Sequence, residues 1–368
     1  MMKVLVLTSS RADFGIYLPL LKKMEKDAFF QVEIVAFGTH LSKQHGYTLS
    51  EIKAQGFHAI HEINTVPTDD SPLEIARSMG DTTQKFAEFW RKNADEVDWV
   101  LCLGDRYEMF AAIVAGIPFR IPFAHLHGGE TTLGAMDNVF RHSISLAARL
   151  HFVATPSSKT RLLELLGDQE GIHYVGALGI DNLKDFGIYS MEEFREKFQM
   201  DLTKKTILCT VHPETAGDMN NQAHVLELIS AIKSLEEYQF LITLPNADTE
   251  SWQIRRALIA DLQHIERVKL VENLGSKGYF SAMQHCAMLL GNTSSGIIEA
   301  ASFGRYVIDL GDRQKGREAG ENVFHVPFDS EKIISQVRKI ELLPLWPQGN
   351  LYQKGNAANQ IMEVLKKM

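Results

Sequence analysis

The sequence predicts an α/β protein made of two Rossmann-like halves, each a parallel sheet wrapped by helices. Three observations predict it. Short apolar runs alternate with amphipathic stretches of helical period from one end to the other. The 368-residue length is long for one domain and comfortable for two, each able to bury its own core. Polar and glycine residues gather just after the apolar runs, where open parallel sheets place the residues that line a ligand cleft.

The elements follow in order. In the first half the strand-like runs are KVLVLTS (3–9), QVEIVAF (31–37), WVLCLG (99–104), PFAHLH (122–127) and HFVAT (151–155). Each is short, rich in branched or aromatic residues, and bounded by turn-forming or polar residues. A further strand, IHYVG (172–176), ends in GALGIDNL (176–183), and the charged helical stretch MEEFREKF (191–198) separates it from the next run. The domain join is therefore expected there, with a first domain over 1–178 and a second over 179–355. The second half gives TILCTV (206–211), QFLITL (239–244), VKLVE (268–272), AMLLG (287–291) and YVIDLG (306–311). The last helix, 356–368, is expected to cross back to the first domain. No repeat of solenoid period and no low-complexity segment interrupts the pattern.

A formal net charge of −8 argues against nucleic acid as a partner, which would want a basic face. It leaves room for a small anionic ligand held by a few placed arginines. The three cysteines, Cys102, Cys209 and Cys286, lie far apart in or beside apolar runs, so they are expected to be buried thiols in a reducing compartment. The apolar segment in MMKVLVLTSSR is too short for a signal peptide, and no later run spans a bilayer. A cytoplasmic protein without membrane partners is the expectation.

Residues after the strands carry the chemistry. They are Ser9 to Arg11, Gly104 to Arg106, His125 to Glu130, His212, Asn246, Asn292 to Ser295, and Asp312 to Arg317. Both halves aim them the same way, which suggests one cleft. HLHGGETTLGAMDNVFRH (125–142) first suggests a metal, because His125 and His127 alternate as strand ligands do and Glu130 would complete a set. Its spacing fits no zinc pattern, so no metal is expected. If 138–150 is a helix, Asp137 caps it, and Arg141 and Ser145 repeat on one face. GNTSSGIIEA (291–300) puts Ser294, Ser295 and Gly296 where a strand turns into a helix, which suits a pyrophosphate, with Glu299 placed to accept from a ribose diol. Ile297 stands where a Walker loop needs lysine, and no GxGxxG occurs to suggest a dinucleotide. GDRQKGREAGENV (311–323) adds Arg313, Lys315 and Arg317 among glycines, as a phosphate clamp would. Each motif also has a plain structural alternative: a capped helix, a solvated charge run, a tight turn.

Seven stretches in register resemble the UDP-N-acetylglucosamine 2-epimerases, in particular the hydrolysing branch that serves sialic acid synthesis: SSRADFG, GDRYE, HLHGGE, DNVFRHS, HPET, GNTSSGIIEA and GDRQKGR. The likeness covers essentially the whole chain. It implies a GT-B type pair of domains with sheets facing a central cleft, no cofactor, and a homodimer or tetramer. It implies that UDP is held by His212, Ser294, Ser295, Glu299, Arg313 and Arg317, with Arg11 reaching toward the phosphates from the first domain, and that Asn246, Asn292 and Gly296 belong to the same UDP-sugar site. Asp105, His127 and Asp137 match acid and base positions, with Glu130 in support and Arg141 orienting them. Two departures stand out: many relatives carry glutamate in the slot of His127, and several carry lysine in that of Ile16, which shifts phosphate charge onto the arginines. A retaining glycosyltransferase or a non-catalytic UDP-sugar sensor are the competing readings. Within the family, a UDP-linked 2,4-diacetamido sugar that feeds legionaminic acid is the alternative substrate.

Overall fold

A computed structural model describes every residue except 44–45, 70, 169, 182, 184–186, 216–219, 246–250 and 348. It contains two compact units. The first takes Met1–Glu130, Asp137–Asn182 and Lys354–Met368; the second takes Thr131–Met136 and Leu183–Gln353.

The first unit is built on seven parallel strands: β1 (Met2–Thr8), β2 (Phe30–Phe37), β3 (Ile60–Ile63), β4 (Trp99–Leu103), β5 (Phe123–Leu126), β6 (Leu150–Val153) and β7 (Ile172–Tyr174), in the spatial order β3-β2-β1-β4-β5-β6-β7. The second carries six: β8 (Thr206–Thr210), β9 (Gln239–Thr243), β10 (Val268–Val271), β11 (Met288–Gly291), β12 (Val307–Leu310) and β13 (Val323–Val326), in the order β10-β9-β8-β11-β12-β13. The central strands WVLCL and TILCT are buried at every position, as strands covered by helices on both faces must be. One of the covering helices, Pro72–Asn93, starts at a Ser71 cap that accepts from the Glu74 N–H. It turns Phe86 and Trp90 into the core, where the Trp90 indole donates to Ala112 O at 3.1 Å.

Both sheets lay their strands outward from the first strand, then return to its other side. The reversal falls between β1 and β4 in one unit and between β8 and β11 in the other. At such a switch point the flanking crossovers diverge to opposite faces and leave a crevice beyond the strand ends. Ser9 to Arg11 and Gly104 to Arg106 follow β1 and β4; His212 and Asn292 to Ser295 follow β8 and β11.

Two strands lack the apolar run that marks the others. IHEI in β3 and VFHV in β13 are edge strands with a partly polar face. A second difference concerns Thr131–Met136, which lies inside the span expected for the first domain yet belongs to the second unit. Its backbone is satisfied there: the Leu133 N–H donates to Lys315 O at 2.9 Å, the Thr215 N–H to Gly134 O at 3.3 Å and the Met136 N–H to Thr215 Oγ1 at 3.1 Å. Gly134 has to be glycine, since a Cβ would lie 2.2 Å from Asp312 O. The helix Ala357–Leu365 belongs to the first unit, where it packs on the helix Arg11–Glu25. Cys102, Cys209 and Cys286 are buried free thiols. No described helix is long and apolar enough to cross a membrane.

Candidate functional site

The residues fall into two clusters, one in each unit. In the first unit the turn after β1 is closed on itself. Ser9 N–H, Ser10 N–H and the Ser9 hydroxyl all donate to Asp13 Oδ2, at 3.0, 3.1 and 2.8 Å, while Ser10 accepts from the Asp13 N–H. This capping box uses up the helix start, so Ser9 and Ser10 hold the turn. Arg11, the first residue of that helix, is half-buried and makes no hydrogen bond or close ion pair among the described residues. Burial lowers its pKa from the ordinary guanidinium value, and the charge of Glu51 only partly offsets this. A cation so placed gains from an anion brought to it.

At the end of β4, Asp105 forms an ion pair with Arg141, which is buried in the helix Asp137–Ala147. Next to Asp105, Arg106 forks onto the buried carboxylate of Glu108 at 3.2 and 3.0 Å. His125, on β5, joins these elements: Nε2 donates to Gly104 O at 2.8 Å, and Nδ1 accepts from the Ser145 hydroxyl at 3.0 Å. The carbonyl can only accept, which fixes the tautomer and leaves His125 no nitrogen for a metal. Burial pushes its pKa down to about 3, so it stays neutral. Arg141 and Ser145 lie one turn apart on the inward face of their helix, as the spacing predicts. Asp137 is that helix's first residue and is half-buried.

His127 lies just past the end of β5 with φ at 62°, in the left-handed region. Its Nδ1 bonds Glu130 Oε1 at 2.7 Å, while Nε2 is buried without a hydrogen-bond partner among the described residues. The following glycines make that turn feasible. A Cβ on Gly128 would sit 2.9 Å from both His125 Nδ1 and Ser145 Oγ, and one on Gly129 would sit 2.3 Å from Ser158 O. Because a carboxylate accepts, Glu130 assigns the proton to Nδ1 and leaves Nε2 with a lone pair or, in the cation, a second proton to give. The cluster thus combines a Glu–His dyad with the Asp105–Arg141 pair, and Asp137 stands one turn before Arg141 on the same helix; such groups can take and return protons.

In the second unit Asn292 is the hub. Its side chain is fully buried and clasps His212, with Oδ1 accepting from the His212 N–H at 2.7 Å and Nδ2 donating to His212 O at 2.9 Å. The Asn292 amide thus ties β8 to β11 through the His212 backbone. Its carbonyl accepts from Gln314 Nε2 at 2.9 Å and from Arg313 Nη1 at 3.4 Å, and Arg317 Nη1 donates to Gln314 Oε1 at 2.8 Å. Gly296 is likewise a packing residue, since a Cβ would come 3.0 Å from Val307 Cγ1. Ser294 and Ser295 open a helix of only five residues, Ser294–Ile298, whose Thr293 cap makes no side-chain bond to a backbone N–H of the helix. Glu299 follows, buried, and His212 is buried at the β8 end. Asn246 lies outside the described residues.

Three residues were not singled out from the sequence. Glu214, within HPET, is clamped by Asn221 at 2.9 and 3.0 Å, and its Oε1 accepts from the Asp312 N–H at 2.6 Å, so it holds the start of the arginine loop. Gln314 lies inside that loop. Both stand within motifs whose charged neighbours carry the stronger signal. Tyr279 bonds Ser295 Oγ at 2.7 Å from the helix Gly275–His285, a stretch with no local signal of function.

A family profile described as UDP-N-acetylglucosamine 2-epimerase matches residues 22–366. A hydrolysing UDP-N,N'-diacetylbacillosamine 2-epimerase of Legionella pneumophila is 32% identical over 99% of this chain and 95% of its own. The polysialic acid biosynthesis protein P7 of Escherichia coli is 32% identical over 100% of this chain and 94% of its own. The solved structure of UDP-GlcNAc 2-epimerase from Neisseria meningitidis, bound to UDP-GlcNAc, matches with a TM-score of 0.84 at 20% identity over 100% of both chains. At that identity the likeness speaks for the fold, and it bears out the GT-B type pair of Rossmann-like domains.

Proposed function

The chain belongs to the UDP-N-acetylglucosamine 2-epimerase family, and we propose that it is a hydrolysing member, which turns UDP-N-acetylglucosamine and water into N-acetylmannosamine and UDP. The observation that carries this reading is the Glu130–His127 dyad, with its unpartnered Nε2, in the same cluster as the Arg141–Asp105 pair.

The chemistry asks for such a set. C2–H of a 2-acetamido sugar has no neighbouring carbonyl to acidify it, so a base alone inverts that centre too slowly. Breaking C1–O sends the electron pair out with UDP and gives C1 oxocarbenium character, which makes the C2 proton removable and leaves a glycal. Water then adds across the double bond: its oxygen bonds C1 and it gives up one proton to solvent, while a proton is delivered to C2 from the opposite face. Asp105 or Asp137 takes the first proton. His127, as an imidazolium held by Glu130, returns the second. Arg141 compensates the charge on Asp105. Arg313, Arg317, His212, Ser294, Ser295 and Glu299 hold UDP in the second unit, with Asn292 and Gly296 shaping that surface, and Arg11 supplies phosphate charge from the first.

The Legionella relative favours a second reading of the substrate, a UDP-linked 2,4-diacetamido sugar, at the same reaction centre. The two differ at C4 and C6, away from the bonds that change. Measuring UDP release with each sugar nucleotide and identifying the products by proton NMR tests both. Faster release from UDP-N-acetylglucosamine with free N-acetylmannosamine supports the first reading. Release confined to the diacetamido substrate moves the assignment to the second, and UDP-N-acetylmannosamine without free sugar overturns the hydrolysing assignment.

A further inference from the structure

We propose that Tyr279 is a positioning residue for the nucleotide: its phenol fixes the direction of the Ser295 hydroxyl, which in turn bonds the UDP diphosphate. The inference rests on the nucleotide role given above to the second unit. It starts from the 2.7 Å contact between Tyr279 OH and Ser295 Oγ.

A serine hydroxyl at a turn normally rotates among several directions, and a ligand that needs one of them must stop that rotation. Here the rotation is already stopped. Ser295 Oγ lies between Tyr279 OH and Thr293 Oγ1, the latter at 3.3 Å. The Thr210 hydroxyl is a further partner of the phenol, and Thr210 is itself bonded to Thr243 at 2.5 Å across the ends of β8 and β9. Burial raises the pKa of Tyr279 to about 12, so the phenol remains a neutral donor and acceptor.

The helix that carries Tyr279 is itself fixed. Gly278 approaches Phe198 so closely that a Cβ would come 2.8 Å from Cζ, which sets the depth at which the helix packs. Tyr279 therefore reaches Ser295, after β11 at the switch point of the second sheet, from a helix held in place. The arrangement preorganises one polar contact before the ligand arrives, which lowers the ordering cost of binding.

The test is a double-mutant cycle on the full-length protein, read by calorimetry with UDP and by steady-state kinetics. Tyr279→Phe removes one oxygen and keeps the ring packing. Each of Tyr279→Phe and Ser295→Ala is expected to weaken UDP about fivefold to tenfold, as loss of one hydrogen bond does. The double variant should bind UDP as Ser295→Ala alone does, because the two residues act through one contact. KM should rise in step, and Tyr279→Phe should change kcat no more than Ser295→Ala does. Additive losses, or wild-type affinity in Tyr279→Phe, overturn the proposal. A wild-type protein that fails to bind UDP overturns the nucleotide reading itself, an outcome distinct from either.

Discussion

His127 adopts a left-handed backbone, which costs a residue with a side chain about 1 kcal/mol or more, and such residues persist where the position of the side chain matters. Glu130 and the two glycines maintain it. Asp105→Asn, Asp137→Asn and His127→Ala are each expected to lower kcat by about 10²- to 10⁴-fold, the usual worth of a proton-transfer group, while UDP affinity holds. They should fail differently: the residue that returns the proton acts only on the glycal, so His127→Ala should release 2-acetamidoglucal with UDP. Product analysis of each variant checks this, and full activity in both aspartate variants would reduce them to a turn and a helix cap. At this scale the sequence was informative where chemistry and punctuation coincide, as in HLHGGE. It was silent on His125, which has the same residue type two positions away but spends both nitrogens on Gly104 and Ser145. Only the register of β5 against the neighbouring strand and helix separates the two histidines.

Elements place these residues by strand order. Continuous apolar runs made the buried strands legible, and the polar residues after them marked the ends that meet at each switch point. The edge strands β3 and β13 were not legible: His61 and Glu62 in one and His325 in the other break runs of only four residues. Nor was the clasp made by Asn292, since its partner His212 is eighty residues away and bonds through its backbone. This clasp holds β8 to β11 and, through its carbonyl, Gln314 and Arg313. Asn292→Ala leaves the buried His212 N–H and carbonyl without it, which should destabilise the protein by about 1–3 kcal/mol. UDP should also bind at least several-fold more weakly, because the clasp positions His212 and, through its carbonyl, Arg313 and Gln314. Urea unfolding and calorimetry on one variant measure both. Loss of UDP affinity with stability unchanged would return Asn292 to direct contact.

For the whole molecule, acid is the expected weakness. Burial holds His125 down to about 3, and His40 and His151 down to about 4. Each folded value lies below that of the unfolded chain, near 6.5, so the unfolded state takes up protons first. Their contribution to stability is complete above about pH 6.5 and is lost as the pH falls toward 4, at up to about 1.4 kcal/mol per pH unit for each histidine. Urea midpoints at pH 7.5 and pH 5 should show a clear drop, and replacing His151 by Gln should flatten it. Equal midpoints would mean these histidines titrate normally.

The division of labour proposed here, nucleotide in the second unit and proton transfer at C2 in the first, is tested most directly by turnover in D₂O followed by proton NMR and mass spectrometry. If Asp105, Asp137 and His127 exchange the C2 proton during loss of UDP, the product is free N-acetylmannosamine, or its 4-acetamido counterpart, with one deuterium at C2 and UDP in equal amount. Free sugar that keeps its original hydrogen at C2, or a UDP-linked epimer as the end product, would contradict it.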